Sequence, residues 1–261
     1  MTLPNFSRIM PLRLITAFFM MASCFSPDGG EMAVKGGEIN SFASRLKKMK
    51  TAEVDTLYFQ ICRRLDHQRA GLNEKWKKAG SENEKQVVLG QAQALLLEML
   101  SDSLLVCWYE TGWDFNGTTT NPRKGNIACG YFVTTVLKQS AFNISRNFLA
   151  QQASSVLIQT FCPPEKIKTI TNRQTKKVFE YMKAQKDGIF LIGLDNHTGF
   201  LVKENGKTRF VHSNYLSSVD KVVSEPLEES EIIKGNNFFM IGDLSHSDAS
   251  MEKWLTGETI R

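Results

Sequence analysis

Asn205-Gly206 lies between two strand-like runs and constrains the fold more tightly than any other pair in the chain. Asn-Gly suits a type I′ turn, whose twist matches two antiparallel strands. Once the turn is fixed, so is the register. Glu204 faces Lys207, Lys203 faces Thr208, Leu201 faces Phe210, Gly199 faces His212, and His197 faces Asn214. His197 and His212 then become diagonal neighbours on one face, about 7 Å apart between backbones and within side-chain reach. Gly199 leaves the His212 ring room to turn toward His197. The chain has four histidines, and this hairpin gathers two of them, with an amide, at one end.

The pattern before the hairpin is helical. Val54, Leu57, Tyr58, Ile61, Leu65, Leu72 and Trp76 recur at three- and four-residue steps. Gly80-Ser81-Glu82-Asn83 interrupts them. A second helical run, from about 84 to 106, carries Val88, Ala92, Leu95, Leu96, Met99 and Leu100 on its apolar side. Two long helices and a short loop predict an antiparallel helical hairpin over 51–106. An aromatic, Gly-bearing loop follows from Trp108 to Gly125. Helices are expected over 128–139, 145–161 and 173–184. Strands are expected over 189–194, 197–203, 207–213 and 237–242, with a short closing helix near 251–255. Helices first and a mostly antiparallel sheet afterwards describe an α+β fold, with 107–261 as its own domain. Residues 25–50, with Gly29-Gly30 and Gly36-Gly37, read as a flexible tether.

The N-terminus has the layout of a secretory signal. Arg8 and Arg13 lead, Leu14 to Met21 is apolar, and Ala22-Ser23-Cys24 follows. The apolar run is too short to span a bilayer. Met21-Ala22-Ser23-Cys24 also resembles a bacterial lipobox, in which Cys24 is lipidated and anchors the mature chain to a membrane. The other reading is a simple cleaved signal, with Cys24 incidental. Either way 1–24 stand outside the fold, and the chain is expected to be exported, as a periplasmic or membrane-anchored lipoprotein. The net charge of +5 comes without a Lys/Arg block interleaved with aromatics, so a nucleic-acid surface is not expected.

Four cysteines remain: Cys62, Cys107, Cys129 and Cys162. An exported protein can pair such residues as disulfides. No CxxC spacing suggests zinc or a redox dithiol. Cys62 and Cys107 sit in apolar helical contexts that suit buried free thiols, and Cys162 abuts Pro163-Pro164. Cys129 is different. In Gly125-Asn126-Ile127-Ala128-Cys129-Gly130-Tyr131-Phe132-Val133 a polar loop ends and an amphipathic helix begins. A thiol in the first turn feels the positive end of the helix dipole, which lowers its pKa. The unpaired first-turn amides can serve an oxyanion, and Gly130 leaves the approach unobstructed.

Other readings of these residues stand beside that one. Cys129 also reads as a buried helix cysteine with no role. Cys129, His197 and His212 are all zinc-ligand types, although a tightly spaced Cys/His pair is absent. Asp195, two residues before His197, suits the turn better than the imidazole. His67 and His246 have no such context and read as surface residues.

These segments resemble the NlpC/P60 superfamily of papain-like cysteine peptidases and amidases. Ala128-Cys129-Gly130-Tyr131-Phe132-Val133 looks like the family's Asp-Cys-Ser-Gly-Phe-Val segment. His197-Thr198-Gly199 looks like its His-Val-Gly strand, and Phe210-Val211-His212-Ser213 like its Phe-Ile-His-Ala/Ser segment. Trp113-Asp114-Phe115-Asn116-Gly117 looks like its Tyr-x-Trp-Gly-Gly cleft loop. The match covers about 108 to 215. Ala128 and Gly130 depart from the family's Asp and Ser. Trp113 stands where its Tyr would help the oxyanion, with Tyr109 as a candidate substitute. The three-helix insertion between Cys129 and His197 is longer than the family pattern leads one to expect, and the hairpin at 51–106 has no counterpart.

The resemblance implies a papain-like core in which a nucleophile helix packs on a mostly antiparallel sheet. It implies amide hydrolysis through an acyl-enzyme on Cys129, with His197 as base and acid. His212 or Asn214 would orient that ring, and the amides of Cys129 and Gly130 would hold the oxyanion. No cofactor and no metal are implied. The expected substrate is a peptide bond or amide of peptidoglycan. A cysteine peptidase acting on protein substrates is one alternative, although such enzymes usually carry Asp where His212 stands. A non-catalytic surface lipoprotein binding a peptide or glycan is the other.

Overall fold

The computed structural model describes residues 37–261. The signal-like segment, Cys24 and the first part of the expected tether lie outside the described residues. The rest of that stretch is not a tether. Gly37–Lys47 form helix α1, Leu46 on it is fully buried, and Arg123 Nη1 donates to the Leu46 carbonyl at 2.7 Å. A buried leucine and a tied carbonyl override the flexible composition.

The hairpin follows as α2 (Thr51–Lys78) and α3 (Glu82–Met99). Ser81 and Glu84 close a capping box at the start of α3: Ser81 Oγ accepts the Glu84 amide at 3.3 Å, and Glu84 Oε2 accepts the Ser81 amide at 3.1 Å. The chain widens into a π-helical turn at Leu100–Leu104 and ends in α4 (Leu105–Trp108). The hairpin does not stand as a separate body, because Gly37–Arg261 cluster as one unit. Trp108 Nε1 donates to Tyr58 Oη at 2.9 Å, and Tyr58 Oη donates to Gln139 Oε1 at 2.7 Å. Arg69 Nη1 donates to the Leu255 carbonyl near the C-terminus at 3.0 Å. Polar bolts of this kind fix where apolar faces meet, because leaving one partner buried and unpaired costs about 1–3 kcal/mol.

Helix α5 (Cys129–Gln139) begins the second half. A short strand β1 (Asn143–Ile144), α6 (Arg146–Ala150) and α7 (Ser154–Phe161) follow. The single helix expected over 145–161 is thus broken at 151–153. Ser154 Oγ donates to the Leu194 carbonyl at 3.0 Å, and a serine that bonds elsewhere favours a helix boundary. Next come β2 (Ile167–Ile170), α8 (Thr175–Ala184), β3 (Gly188–Leu194), β4 (Thr198–Glu204) and β5 (Lys207–Asn214). The chain ends with β6 (Lys221–Pro226), α9 (Glu231–Gly235), β7 (Phe239–Asp243), α10 (Asp248–Thr256) and β8 (Thr259–Ile260), the last pairing with β1.

The main sheet has the order β2-β7-β3-β4-β5-β6, and every neighbouring pair is antiparallel. This is the expected α+β mixture. Strand β3 is buried along its whole length because both faces of the sheet are covered. One face carries Ile189, Leu191, Phe200, Val202, Val211 and Met240 against α5, α7 and the hairpin. The other carries Phe190, Ile192, Leu201, Phe210 and Ile241 against α8 and α9. Strand β6 went unexpected because its Lys-Val-Val-Ser-Glu-Pro sequence is half polar.

From the turn to Phe200–Val211 the hairpin register is the one derived from Asn205-Gly206, and the ladder ends there, before the expected Gly199–His212 and His197–Asn214 pairs. Both turn residues have positive φ, 52° and 73°. Glu204 pairs with Lys207, Lys203 with Thr208, and Leu201 with Phe210. His197 lies one residue before the strand, at the end of a tight link from β3.

Candidate active site

Cys129 is the first residue of α5, preceded by Ala128 in an extended conformation. The segment leading to it is held from two sides. Ser213 Oγ of β5 donates to the Ile127 carbonyl at 2.6 Å. The Ile127 amide donates to Gly112 and the Ala128 amide to Gly117, at 2.9 and 2.8 Å. Phe132, one turn on, is fully buried between Trp108 and Phe200, with ring centroids 5.9 and 5.8 Å away. The position of Cys129 is therefore set by the core and by backbone contacts.

Gly130 has a different reason from the one expected. A Cβ there would collide with the Ala150 carbonyl oxygen. The small residue admits the backbone of the α6–α7 turn rather than opening a path for substrate.

The backbone amides of Thr198, Gly130 and Cys129 itself lie near enough to the Cys129 sulfur to favour its charged form. This brings the thiol to the residue after His197, at the start of β4. The link before it is fixed by Asp195, whose Oδ2 accepts the Asn237 amide at 2.8 Å. Asp195 thus serves the turn.

His197 Nε2 lies 2.8 Å from His212 Nδ1, across the hairpin. Gly199 makes this contact possible, since a Cβ there would lie 2.8 Å from His212 Cβ. The His212 ring stacks on Phe210 at 3.9 Å between centroids, with planes 7° apart. The His197 ring meets Phe210, His212 and Tyr215 edge-on. Both histidines are buried. His197 Nδ1 is buried with no hydrogen-bond partner among the described residues.

Of the two candidate orienters, His212 holds the ring. Asn214 Oδ1 instead accepts the Leu216 amide at 2.8 Å and serves the next turn. Tyr109 is not brought to the thiol. Its hydroxyl accepts from Arg209 Nη1 at 3.1 Å, and Arg209 in turn pairs with Glu204 at 2.6 Å, near the hairpin turn. Trp113 stands on the side of the histidines: its ring centroid lies 6.3 Å from that of Tyr215, which lies 5.2 Å from that of His197. The backbone that carries Trp113 runs along β6. Glu110 and Trp113 amides donate to Val222 and Asp220, and the Val222 amide donates to Thr111.

The charge states correct a second expectation. Burial pushes the Cys129 thiol above its ordinary value, and it outweighs the amides that pull the other way. Burial, with His212 beside it, holds His197 well below the ordinary histidine range, and burial likewise lowers His212. Both groups are thus held in their neutral forms, the thiol at the start of α5 and the imidazole one residue before Thr198.

The chain has no match among protein-family models, curated proteins or solved structures.

Two residues of the site escaped the sequence. Glu225 Oε1 lies 3.2 Å from His212 Nε2, on a strand that was not foreseen. Tyr215 adjoins Asn214 but gave no periodic signal. His246 is not a simple surface residue: it is half-buried and its Nδ1 lies 3.1 Å from Asp243 Oδ1. Cys62, Cys107 and Cys162 are free thiols. Among the described residues, no group of three His, Cys, Asp or Glu side chains is arranged to hold a metal ion.

Proposed function

We propose that this chain is a papain-like cysteine hydrolase of the NlpC/P60 kind, cleaving an amide or peptide bond in peptidoglycan through an acyl-enzyme on Cys129. One observation carries the reading. A buried imidazole, bonded through Nε2 to a second histidine, keeps an unpartnered Nδ1 one residue before Thr198, whose amide faces a thiol on a helix start. A buried ring nitrogen without a partner is a cost that a site built for proton transfer accepts.

In this mechanism the substrate carbonyl approaches Sγ. His197 Nδ1 takes the thiol proton as the C–S bond forms, and the negative charge moves to the carbonyl oxygen. The first-turn amides of Cys129 and Gly130 are the donors at hand for that oxygen. His197 then returns the proton to the leaving nitrogen, and the C–N bond breaks. Water, activated by the same ring, releases the acid and restores the thiol. Since the resting pair is neutral, the proton moves during attack rather than before it.

Trp113 and Tyr215, whose rings adjoin, offer an aromatic wall for the substrate. Export, and anchoring through a lipid on Cys24, remain part of the proposal on sequence grounds. No helix among the described residues is long and apolar enough to cross a membrane.

Digestion of purified peptidoglycan by the wild type and by Cys129→Ala tests the reading. Soluble fragments from the wild type alone support it. No release under any condition refutes the substrate. Cleavage of protein substrates in that case keeps the mechanism and moves the chain to the protein-peptidase alternative. Equal slow labelling of Cys129 by a thiol probe at pH 6 in wild type and His197→Ala leaves a peptide- or glycan-binding module.

A further inference from the structure

We propose that Glu225 is a positioning residue, which fixes the order of protons through His212 and His197 so that His197 presents a bare Nδ1 to Cys129. The inference rests on the hydrolase reading above and extends its relay by one member.

Donors and acceptors set the order of the protons. An ionised carboxylate only accepts. At 3.2 Å from Glu225 Oε1, His212 Nε2 must therefore carry a proton. A neutral imidazole has one, so His212 Nδ1 is a lone pair. That lone pair lies 2.8 Å from His197 Nε2, which must then donate. The single proton of His197 is thereby placed on Nε2, and Nδ1 is left bare. This is the same atom that has no partner among the described residues. Without the carboxylate the two rings have no preferred order. In the reverse order His197 Nδ1 carries the proton and cannot accept one from the thiol.

The surroundings keep the carboxylate ionised. Burial pushes Glu225 up, but the bonds from His212 and Ser230, with the Lys234 ammonium nearby, bring it below the ordinary carboxylate range overall. Ser230 is buried and also accepts the Ile233 amide at 3.3 Å, so it is held in place.

The register explains the placement. Glu225 lies opposite Phe210, and His212 opposite Val223. Glu225 is thus diagonal to His212, and His197 meets the same ring from the other side at 2.8 Å. Three residues on three adjacent chain segments make one line across the sheet.

Nitrogen NMR of the 15N-labelled full chain at neutral pH reads the order directly. Both rings are expected to carry their proton on Nε2. A proton on His197 Nδ1 in the wild type overturns the proposal without any variant. Glu225→Leu is expected to mix the tautomers and to slow His197-dependent alkylation of Cys129 at least tenfold. Glu225→Gln, which keeps an acceptor of the same shape, is expected to recover part of that rate and serves if the leucine variant does not fold. Unchanged tautomers and an alkylation rate within twofold of wild type in the folded variants overturn the proposal. If wild-type alkylation is indifferent to His197→Ala, the hydrolase reading fails, while the NMR still decides the proton order.

Discussion

Gly199→Ala separates a gain in backbone order from a loss in packing, and the structure decides between them. Alanine stabilises a strand interior relative to glycine by about 0.5–1 kcal/mol. Against that, the new Cβ would lie 2.6 Å from Phe210 Cε2, 2.8 Å from His212 Cβ and 2.9 Å from the Val211 carbonyl oxygen. All three are closer than real Cβ contacts allow, and all belong to β5. No flexible side-chain end can swing away to relieve the His212 and Val211 contacts, so the strand itself must shift, by roughly half an ångström at His212 to reach ordinary contact. Overpacking of this kind costs about 1–3 kcal/mol, so a net loss of about 1–2 kcal/mol is expected in urea denaturation. The same shift lengthens the His197–His212 bond. Displacements approaching 1 Å cost about a hundredfold in reactive geometry, so alkylation of Cys129 is expected to slow about tenfold. A variant as stable as the wild type, with an unchanged alkylation rate, refutes the reasoning.

Other outcomes follow from the same contacts. His197 and His212 are held neutral by burial, whereas the unfolded chain protonates them below about pH 6.5. Stability is therefore complete above that range and falls as the pH drops, by up to about 1.4 kcal/mol per histidine per pH unit. Melting curves of wild type and His197→Asn between pH 7 and 5 check this, and parallel pH trends contradict it. Cys62 and Cys107 are pushed up to about 12, so at pH 8 roughly one in ten thousand of each is thiolate. Mass spectrometry after brief alkylation is expected to find label on Cys129 first, and equal labelling of Cys62 sinks the claim. Lys203 Nζ donates to the Met182 and Lys183 carbonyls at 2.8 Å and to Gln185 at 2.5 Å. Lys203→Met leaves these carbonyls unpaired and is expected to cost about 2–3 kcal/mol in denaturation without changing Cys129 alkylation. Phe132→Ala is expected to cost about 3–5 kcal/mol and to loosen the start of α5, which hydrogen exchange there reads.

What could be read beforehand was local. Asn205-Gly206 has one good turn, and a turn of known length dictates which residues oppose each other, so Gly199, His197 and His212 were placeable without coordinates. The periodicity of Val54 to Trp76 is similarly self-contained. Glu225 was not placeable, because six residues of turn between Asn214 and Lys221 leave the register of β6 open and the strand itself is polar. The thiol was misjudged for a related reason. A helix start is visible in the sequence, but the burial that outweighs it comes from β4 and the α6–α7 turn, both distant in the chain. Tyr109 was a candidate substitute for the family's tyrosine, and only the fold shows Arg209 occupying its hydroxyl.

The backbone from Glu110 to Trp113 lies against the outer side of β6, bonded to Val222 and Asp220, with Glu110 also paired to Lys221 at 2.7 Å. Unpaired strand borders recruit other chains into growing sheets. This strip occupies such a border and at the same time carries the indole that reaches Tyr215. A change that frees these few amides thus bares the border to other chains in the same step that releases the indole from Tyr215.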